Sequence, residues 1–185
     1  MATKNQKLSI LALVLVFVLP VILAKMALDN EWFNKASTNR GELVMPNIEA
    51  ASLFGETEAK WKIAYVVPAK CLQACANAIF SMQQVRTAIG RHNDRVQKVL
   101  LMTEQSDRNA IPTTNLDSST VVLETNVNTV NKMFKPMLND DIFIVDTLHN
   151  VVLKYPASGD KEQAIMDSRD MLADIRKLLK LSRIG

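Results

Sequence analysis

The feature that most constrains this 185-residue chain is an uncharged apolar run near its start. The run reads LSILALVLVFVLPVILA, from Leu8 to Ala24, and stands between two lysines. A helix over residues 8–27 rises about 1.5 Å per residue and just crosses a hydrocarbon core of roughly 30 Å. Pro20 would break a soluble helix but is tolerated in a membrane helix. The sequence therefore predicts a transmembrane anchor at 8–27.

Charged residues on the two sides of the run set the expected orientation. Lys4, Lys7 and the amino terminus form a basic flank, whereas Asp29 and Glu31 follow the run. Because basic residues stay on the cytoplasmic side of a membrane, residues 1–7 are expected to form a cytoplasmic tail. Everything after the anchor is then expected to lie outside the cytoplasm.

A cleaved signal peptide is the alternative interpretation, since short basic and apolar regions occur in both kinds of segment. The run is long for a signal peptide, and it places the bulky Ile22 where a cleavage site needs a small residue. We therefore prefer an uncleaved anchor.

The charge of the exported part bears on its partners. The chain has a net charge of +3, but three of its 22 basic residues stand at or before Lys25, which leaves 19 against 19 acidic residues. A formally neutral exported part is not expected to bind nucleic acid. The chain beyond the anchor leaves room for a single domain of about 140 residues, which is enough to form its own core.

The exported part alternates between strand and helix patterns. In chain order it predicts a short strand stopped by Pro46, a strand at 61–67, a helix ending near Gly90, a strand at 95–103, a polar loop, a short strand at 121–123, a helix at 127–134, a hairpin of 142–145 and 151–155, and a helix from about Gly159. Ile165, Leu172, Ile175 and Leu179 share one face of the last helix. We assign 28–59 to a tether with a first edge strand and 60–185 to an α/β domain with helices on both faces of its sheet.

The chain's two cysteines lie in the segment KCLQACANAIFSMQQVR, residues 70–86, with C-x3-C spacing. They begin an apolar stripe on the helix that follows the 61–67 strand; its members are Cys71, Cys75, Ala78, Met82, Val85 and Ile89. Free cysteine behaves as a small buried hydrophobic residue, so this stripe alone requires no chemistry.

Three observations favour a functional pair. The cysteines stand where a strand leads into a helix, and the positive end of the helix dipole favours a thiolate there. Residues four apart share one face, which suits a disulfide or two ligands to a soft ion such as Cu(I). Lys70 adds a neighbouring positive charge, and export places the pair where disulfides persist. A purely structural disulfide is the alternative.

The order of elements resembles a thioredoxin-like fold, and a membrane anchor followed by a strand, C-x3-C, a helix and the late hairpin VDTLHNVVLKY resembles the Sco/SenC group. More closely, the segments GELVMP, WKIAYVVPAKCLQAC and QVRTAIGRHNDRVQKVLL resemble a divergent branch of small membrane-anchored proteins associated with cytochrome oxidase assembly. The resemblance covers about Gly41 to Tyr155, most of the exported part. It implies a bacterial inner-membrane protein with a periplasmic domain that acts in cytochrome c oxidase assembly. It further implies that Cys71 and Cys75 bind copper or act as redox thiols, with an oxidase subunit or its assembly factors as partners.

The resemblance does not supply a third copper ligand. In Sco proteins a histidine stands before the first hairpin strand, and the corresponding position here is Leu138. Met137 is a soft donor next to it, although methionine there is more typical of a core. His92 and His149 are expected to be solvent-facing polar residues after the helix and in the hairpin turn.

Other features narrow the function further. Thiol oxidoreductases carry a cis-proline directly before the first hairpin strand, where this chain has Asp141, so vigorous disulfide exchange is not expected. No phosphate-binding loop, zinc-hydrolase, haem-attachment or nucleophile-elbow motif occurs. Asp117, Asp140 and Asp141 are expected to be solvated loop charges. Three classes remain: a copper-binding assembly factor, a thiol oxidoreductase, and a non-catalytic interaction module with a structural disulfide.

Overall fold

The chain forms two units in the computed structural model, Met1–Thr38 and Asn39–Gly185. The structure describes residues 2–30, 39–110, 117–134 and 140–182. The first unit contains one helix, α1 (Ala2–Asp29), which includes Pro20. Its part from Ala12 to Asp29 is apolar and long enough to cross a membrane. The predicted amino-terminal apolar helix is therefore present.

The second unit is built on a six-stranded mixed sheet. Its strands are β1 (Glu42–Glu49), β2 (Trp61–Val66), β3 (Val96–Met102), β4 (Thr120–Glu124), β5 (Asp141–Val145) and β6 (Asn150–Pro156). They lie in the order β1-β6-β5-β2-β3-β4. β2, β3 and β4 run parallel, while β5, β6 and β1 are antiparallel to their neighbours. Tyr65 of β2 lies between Leu100 of β3 and Ile142 of β5, at the centre of the sheet.

Helices cover both faces of the sheet and make a three-layer domain. They are α2 (Ala51–Phe54), α3 (Gln73–Ile89), α4 (Val127–Phe134) and α5 (Lys161–Leu181), with short 3-10 turns at Gly90–Arg95 and Arg108–Ala110. One core joins α3 and α5 to the sheet through residues such as Met82 and Ile175. The other joins α2 and α4 to the opposite face through Phe54 and Phe134. The predicted α/β domain with helices on both faces is confirmed.

The two long helices lie side by side and run in the same direction. Near their amino ends, Asn77 Nδ2 donates to the carbonyl of Ser158, just before α5, at 2.9 Å. Near their carboxyl ends, Arg176 Nη2 donates to the Ala88 carbonyl at 2.6 Å. Asp160 caps α5 by accepting the Gln163 N–H at 2.8 Å. The start of α5 therefore lies beside the cysteine end of α3.

The first strand is longer than the sequence indicated. β1 continues through Pro46 to Glu49, so the prediction that Pro46 stops it was wrong. β1 is an edge strand, and proline is tolerated there because an outward-facing position needs no N–H in the ladder. The pairing of β1 with β6 shifts register between Leu43 and Ile48, which accommodates this segment.

Candidate functional site

Cys71 and Cys75 are joined in a disulfide at the point where β2 leads into α3, with their Cα atoms 5.1 Å apart. α3 begins at Gln73 because Leu72, its N-cap, has extended backbone dihedrals, so Cys71 precedes the helix and Cys75 lies in its first turn. Cys75 is buried, with 2% of its surface exposed, whereas Cys71 is half-buried and packs against the same core. Cys71 is therefore the more accessible residue of the pair.

The loop that carries Cys71 is held by the loop that follows β3. Ser106 Oγ donates to the Val67 carbonyl at 2.6 Å, and the Asp107 N–H donates to the Pro68 carbonyl at 2.9 Å. In return, the Cys71 N–H donates to Asp107 Oδ2 at 3.3 Å. Because β2 and β3 are parallel, the loops after them meet at one end of the sheet. We call this the cysteine end; it is where β2 stops and β5 starts.

The charges around the pair oppose one another. The amino terminus of α3 directs its unpaired N–H groups and positive dipole towards the cysteines, which stabilises a thiolate in the reduced protein. No acidic side chain lies in the first turn of α3, and the exposed Lys70 adds positive charge. The Asp107 carboxylate lies on the other side of Cys71 and opposes thiolate formation. The reactivity of Cys71 thus depends on a balance between the helix and Asp107.

Both histidines lie at the opposite end of the sheet from the cysteines. His149 is in the β5–β6 turn with a φ of 68°, and its carbonyl accepts the Ala50 N–H at 2.9 Å. His92 lies in the 3-10 turn after α3, whose length from Cys75 to Ile89 is about 21 Å at the usual helical rise. Both are half-buried rather than fully exposed. Neither histidine can join Cys71 and Cys75 around one metal ion.

The third-ligand positions considered from the sequence, Met137 and Leu138, lie outside the described residues. Among the residues that are described, no three His, Cys, Asp or Glu side chains are arranged to hold a metal ion. The donors that fit a soft ion are the two sulfurs of Cys71 and Cys75 once their disulfide is reduced. Their role in metal or redox chemistry remains a prediction.

Comparison with known families assigns the domain. Residues 61–182, more than half of the chain, match the family described as "transmembrane-like, thioredoxin-like, C-terminal domain". The protein belongs to this thioredoxin-like family. The matched segment contains both cysteines, β2 to β6, and α3 to α5.

Two solved structures have the same fold as this thioredoxin-like domain. Apo Sco1 from Thermus thermophilus is similar with a TM-score of 0.53 and 16% identity, over 76% of this chain and 97% of that one. Arabidopsis thaliana ScoI, solved with copper bound, is similar with a TM-score of 0.50 and 11% identity, over 74% of this chain and 98% of that one. Among curated proteins, none matches the sequence significantly. The predicted Sco-like thioredoxin fold is confirmed.

Two of the three acidic residues expected to be solvated are instead engaged in the thioredoxin-like domain. Asp141 begins β5 at the cysteine end and is only 9% exposed. Its burial raises its pKa to about 6, with Glu42 and Asp140 adding to the effect and Lys154 opposing it. Asp140 is exposed, as expected.

Asp117 is the second of these. Partial burial disfavours its ionised form, but hydrogen bonds outweigh this cost and hold its pKa well below the usual range. The donors include the Ser119 hydroxyl at 2.5 Å and Lys98 Nζ at 3.1 Å. Lys98 is itself 5% exposed, so Asp117 stabilises a buried ammonium. The two carboxylates are thus parts of the fold, since each also pairs with a lysine of a neighbouring strand, Asp117 with Lys98 and Asp141 with Lys154.

Sequence reasoning missed Ser106 and Asp107, which lie in the polar loop that received no role. The signal that identifies them is topological. Once β2 and β3 are taken as adjacent parallel strands, the polar residues just after β3 must lie beside the residues just after β2. Short polar side chains there are suited to bind the backbone groups that precede Cys71.

Proposed function

We propose that this protein is an accessory factor in cytochrome c oxidase biogenesis that cycles Cys71 and Cys75 between dithiol and disulfide. It would reduce a disulfide in an oxidase subunit, or in one of that subunit's assembly factors, so that the freed cysteines can take copper. The observation that carries the proposal is the Cys71–Cys75 disulfide at the amino end of α3, with Cys71 accessible and Cys75 buried. This asymmetry supports Cys71 as the attacking thiol.

The proposed exchange balances in atoms and electrons. The Cys71 thiolate attacks one sulfur of the target disulfide, whose S–S bond breaks, and the other target sulfur leaves as a thiolate that takes up a proton. Cys75 then loses its proton and attacks the Cys71 sulfur of the mixed disulfide, which releases the second target thiol. Two electrons pass to the target. A dithiol reductant outside the cytoplasm must then restore the pair.

The proposed location follows from the amino-terminal part of the chain. α1 would anchor the protein in a bacterial inner membrane, with residues 1–7 in the cytoplasm and the thioredoxin-like domain in the periplasm. The apolar span at Ala12–Asp29 supports an anchor, and the lysines before it support the orientation. In this arrangement the segment 28–59 leads from the membrane and adds its edge strand β1 and helix α2 to the domain at 60–185.

A trapping experiment tests the proposed exchange. The reduced full-length Cys75→Ser variant in nanodiscs is mixed with the oxidised copper-site subunit of cytochrome c oxidase, and disulfide-linked adducts are resolved by non-reducing electrophoresis. We expect an adduct through Cys71 because the resolving thiol is absent. The matched Cys71→Ser variant has also lost the disulfide but should form none. Equal adducts from both variants, or none from either, would contradict the proposal.

Transient binding of Cu(I) as cargo is a second candidate, favoured by the chemistry of the sulfur pair. Thiolate ligands select Cu(I), and two of them lie 5.1 Å apart by their Cα atoms. The copper bound in the Arabidopsis thaliana ScoI structure, which shares the fold, supports this candidate. The chain's own Cys71 and Cys75 would hold the ion, and Lys70 and Asp107 would modulate the charge around it.

Anaerobic titration with Cu(I) separates the two candidates. If copper is cargo, the reduced full-length protein takes up one ion at submicromolar concentration through sulfur ligands counted by X-ray absorption, and Cys71→Ser takes up none. Absence of binding at that concentration would eliminate the copper candidate and leave the exchange reaction intact. If replacing both cysteines leaves oxidase assembly unchanged, the protein is an interaction module and both candidates are wrong.

A further inference from the structure

An apolar groove of about 300 Å³ runs between α3 and α5 on the outer face of the helical layer. Its walls are formed by residues 77–88 of α3 and 161–172 of α5, each about 16 Å long at the usual helical rise. Since the two helices are parallel, the groove is straight and has about three helical turns of length on either side. These dimensions match one helix of about 11 residues lying along it.

The groove exposes side chains that a soluble domain normally buries. Phe80 is 60% exposed on the α3 side and Ile165 is 43% exposed on the α5 side. The sequence places Ile165 on the same stripe as Ile175 and Leu179, which are buried, whereas Ile165 itself is exposed. It is exposed because the groove separates this part of α5 from α3. An aromatic and a branched side chain facing each other across a groove are typical anchors for a helical partner.

The charges along the groove specify the partner. Among the described residues, the charged side chains that line it are Lys161 and Arg169, both basic and both exposed. We propose that the groove binds an acidic amphipathic helix of a partner protein, with its apolar face on Phe80 and Ile165 and its carboxylates towards Lys161 and Arg169. Complementary charge gives such a site both its specificity and a fast association rate.

The same charges argue against the other occupants. In a symmetric dimer through this face, the same groove would supply both partners, and among its described lining residues no acidic side chain is present to pair with Lys161 and Arg169. The groove is concave and narrow, which suits a rod-shaped helix better than the flat surface of a lipid bilayer. A partner helix is therefore the occupant that both the shape and the charge favour.

The groove lies close to the cysteine pair but does not depend on its chemistry. Phe80 is five residues after Cys75 on α3, a distance of about 8 Å along the helix axis. Leu72, which precedes α3 directly after Cys71, is 72% exposed. The inference goes beyond the proposed function, because binding needs neither thiols nor copper.

Two synthetic peptides of 14 residues test the inference with the oxidised full-length protein in nanodiscs. Both carry leucine on one helical stripe; one carries glutamate on its polar face and the other carries lysine at the same positions. Binding is measured by fluorescence anisotropy of a label on each peptide. We expect saturable binding of the glutamate peptide, weakened by added salt, and at least tenfold weaker binding of the lysine peptide.

Variants locate the binding to the groove. Phe80→Ala should weaken binding of the glutamate peptide about tenfold, and Arg169→Glu should weaken it and improve binding of the lysine peptide. Leu148→Ala is the matched control, since Leu148 is 72% exposed in the β5–β6 turn at the other end of the sheet. Replacement of both cysteines by serine should leave peptide binding unchanged, which separates this test from that of the proposed function.

Hydrogen exchange identifies the occupant. Slower exchange in α3 and α5 on addition of the glutamate peptide supports the inference. Slower exchange in α3 and α5 when the neutral lipid of the nanodisc is replaced by phosphatidylglycerol would show that this face binds membrane. A dimer that dissociates in the Phe80→Ala variant would show that a second copy of the chain occupies the groove. Either result, equal binding of both peptides, binding of neither, or an unaffected Phe80→Ala variant would overturn the inference.

Discussion

Asp174 is a buried carboxylate on α5 that binds the residues just before β1. Replacing it by alanine tests how much this link stabilises the domain. Asp174 is 2% exposed, and its Oδ2 accepts three hydrogen bonds. They come from the Arg40 N–H at 2.8 Å, the Gly41 N–H at 2.9 Å and the Tyr155 hydroxyl at 2.7 Å. Asp174→Ala removes the acceptor for all three donors while changing little apolar contact.

The expected loss of stability in Asp174→Ala depends on which of the three donors can form a hydrogen bond to water instead. The Arg40 N–H is at an exposed residue and can rehydrate, whereas Gly41 and Tyr155 are buried. A buried donor left without an acceptor, or a lost hydrogen bond to a charged group, costs about 1.5–3 kcal/mol. Two such losses predict a decrease of about 3–6 kcal/mol in the free energy of unfolding. Tyr155→Phe removes one hydrogen bond to the carboxylate and leaves its other two donors in place, so it should cost about 1.5–3 kcal/mol.

Urea unfolding of the full-length protein in nanodiscs, followed by the fluorescence of the buried Trp61 in a Trp32→Phe background, measures these differences. Asp170→Ala is the matched control, because Asp170 lies one turn earlier on α5 and pairs with the Arg40 side chain at 2.8 Å in an exposed ion pair. Such pairs contribute about 0–1 kcal/mol. If Asp174→Ala costs no more than Asp170→Ala, the reasoning that the buried carboxylate holds β6 and the first residues of the domain to α5 is refuted.

Two further predictions concern charges at the cysteine end. Asp107→Asn should speed alkylation of Cys71 by iodoacetamide about threefold in the reduced Cys75→Ser variant at pH 7. The substitution removes a negative charge near the thiolate but keeps an oxygen that can accept the Cys71 N–H. An unchanged rate would show that Asp107 only positions the loop. The pKa of Asp141, raised by burial to about 6 in the fold, means that the folded state holds this proton more tightly than the unfolded state. The stabilisation that Asp141 gives the folded state is therefore present below about pH 4. It is lost as the pH rises to about 6, so the free energy of unfolding falls by up to about 3 kcal/mol. Asp141→Asn should abolish that loss in urea titrations at pH 4 and pH 7, whereas Asp140→Asn, at an exposed neighbour, should retain it; equal pH dependence in the two variants would contradict the prediction.

Local sequence patterns correctly predicted the strands and helices whose burial depends on the residues within each element. β2 and the β5–β6 hairpin consist of β-branched and aromatic residues between turn signals, and they form where expected. The stripe from Cys75 to Ile89 is buried because a 3.6-residue period places it on one face of α3. Gly90, expected to end this helix, has a φ of 72°, a conformation that glycine adopts without strain.

Features that depend on distant contacts could not be predicted in the same way. Whether Pro46 ends a strand depends on its place in the sheet, and only the strand order shows that β1 is at an edge. The exposure of Ile165 depends on the distance between α5 and α3 at this residue. The hydrophobic period of a single helix gives no information about that distance. Asp141 is buried because it begins a strand that β2 and β6 flank.

For the candidate site, the sequence predicted the cysteine pair and its position, but not the side chains that hold the loop before it. Spacing four residues apart and a strand-to-helix junction were sufficient to bring Cys71 and Cys75 together. The hold of Ser106 and Asp107 on the loop before Cys71 required knowledge that β3 lies next to β2. The histidines could be set aside only when both were placed at the far end of the sheet.

The midpoint potential of the Cys71–Cys75 pair tests the central claim most directly. The full-length protein in nanodiscs is equilibrated with dithiol buffers of defined potential, and reduced thiols are alkylated and counted by mass spectrometry. A pair that reduces a target disulfide should have a midpoint between about −270 and −200 mV, the range of thioredoxin and the glutaredoxins, and a midpoint of about −120 mV would mark an oxidant and contradict the proposed direction. A pair that stays oxidised to below about −300 mV, as structural disulfides do, would contradict the account.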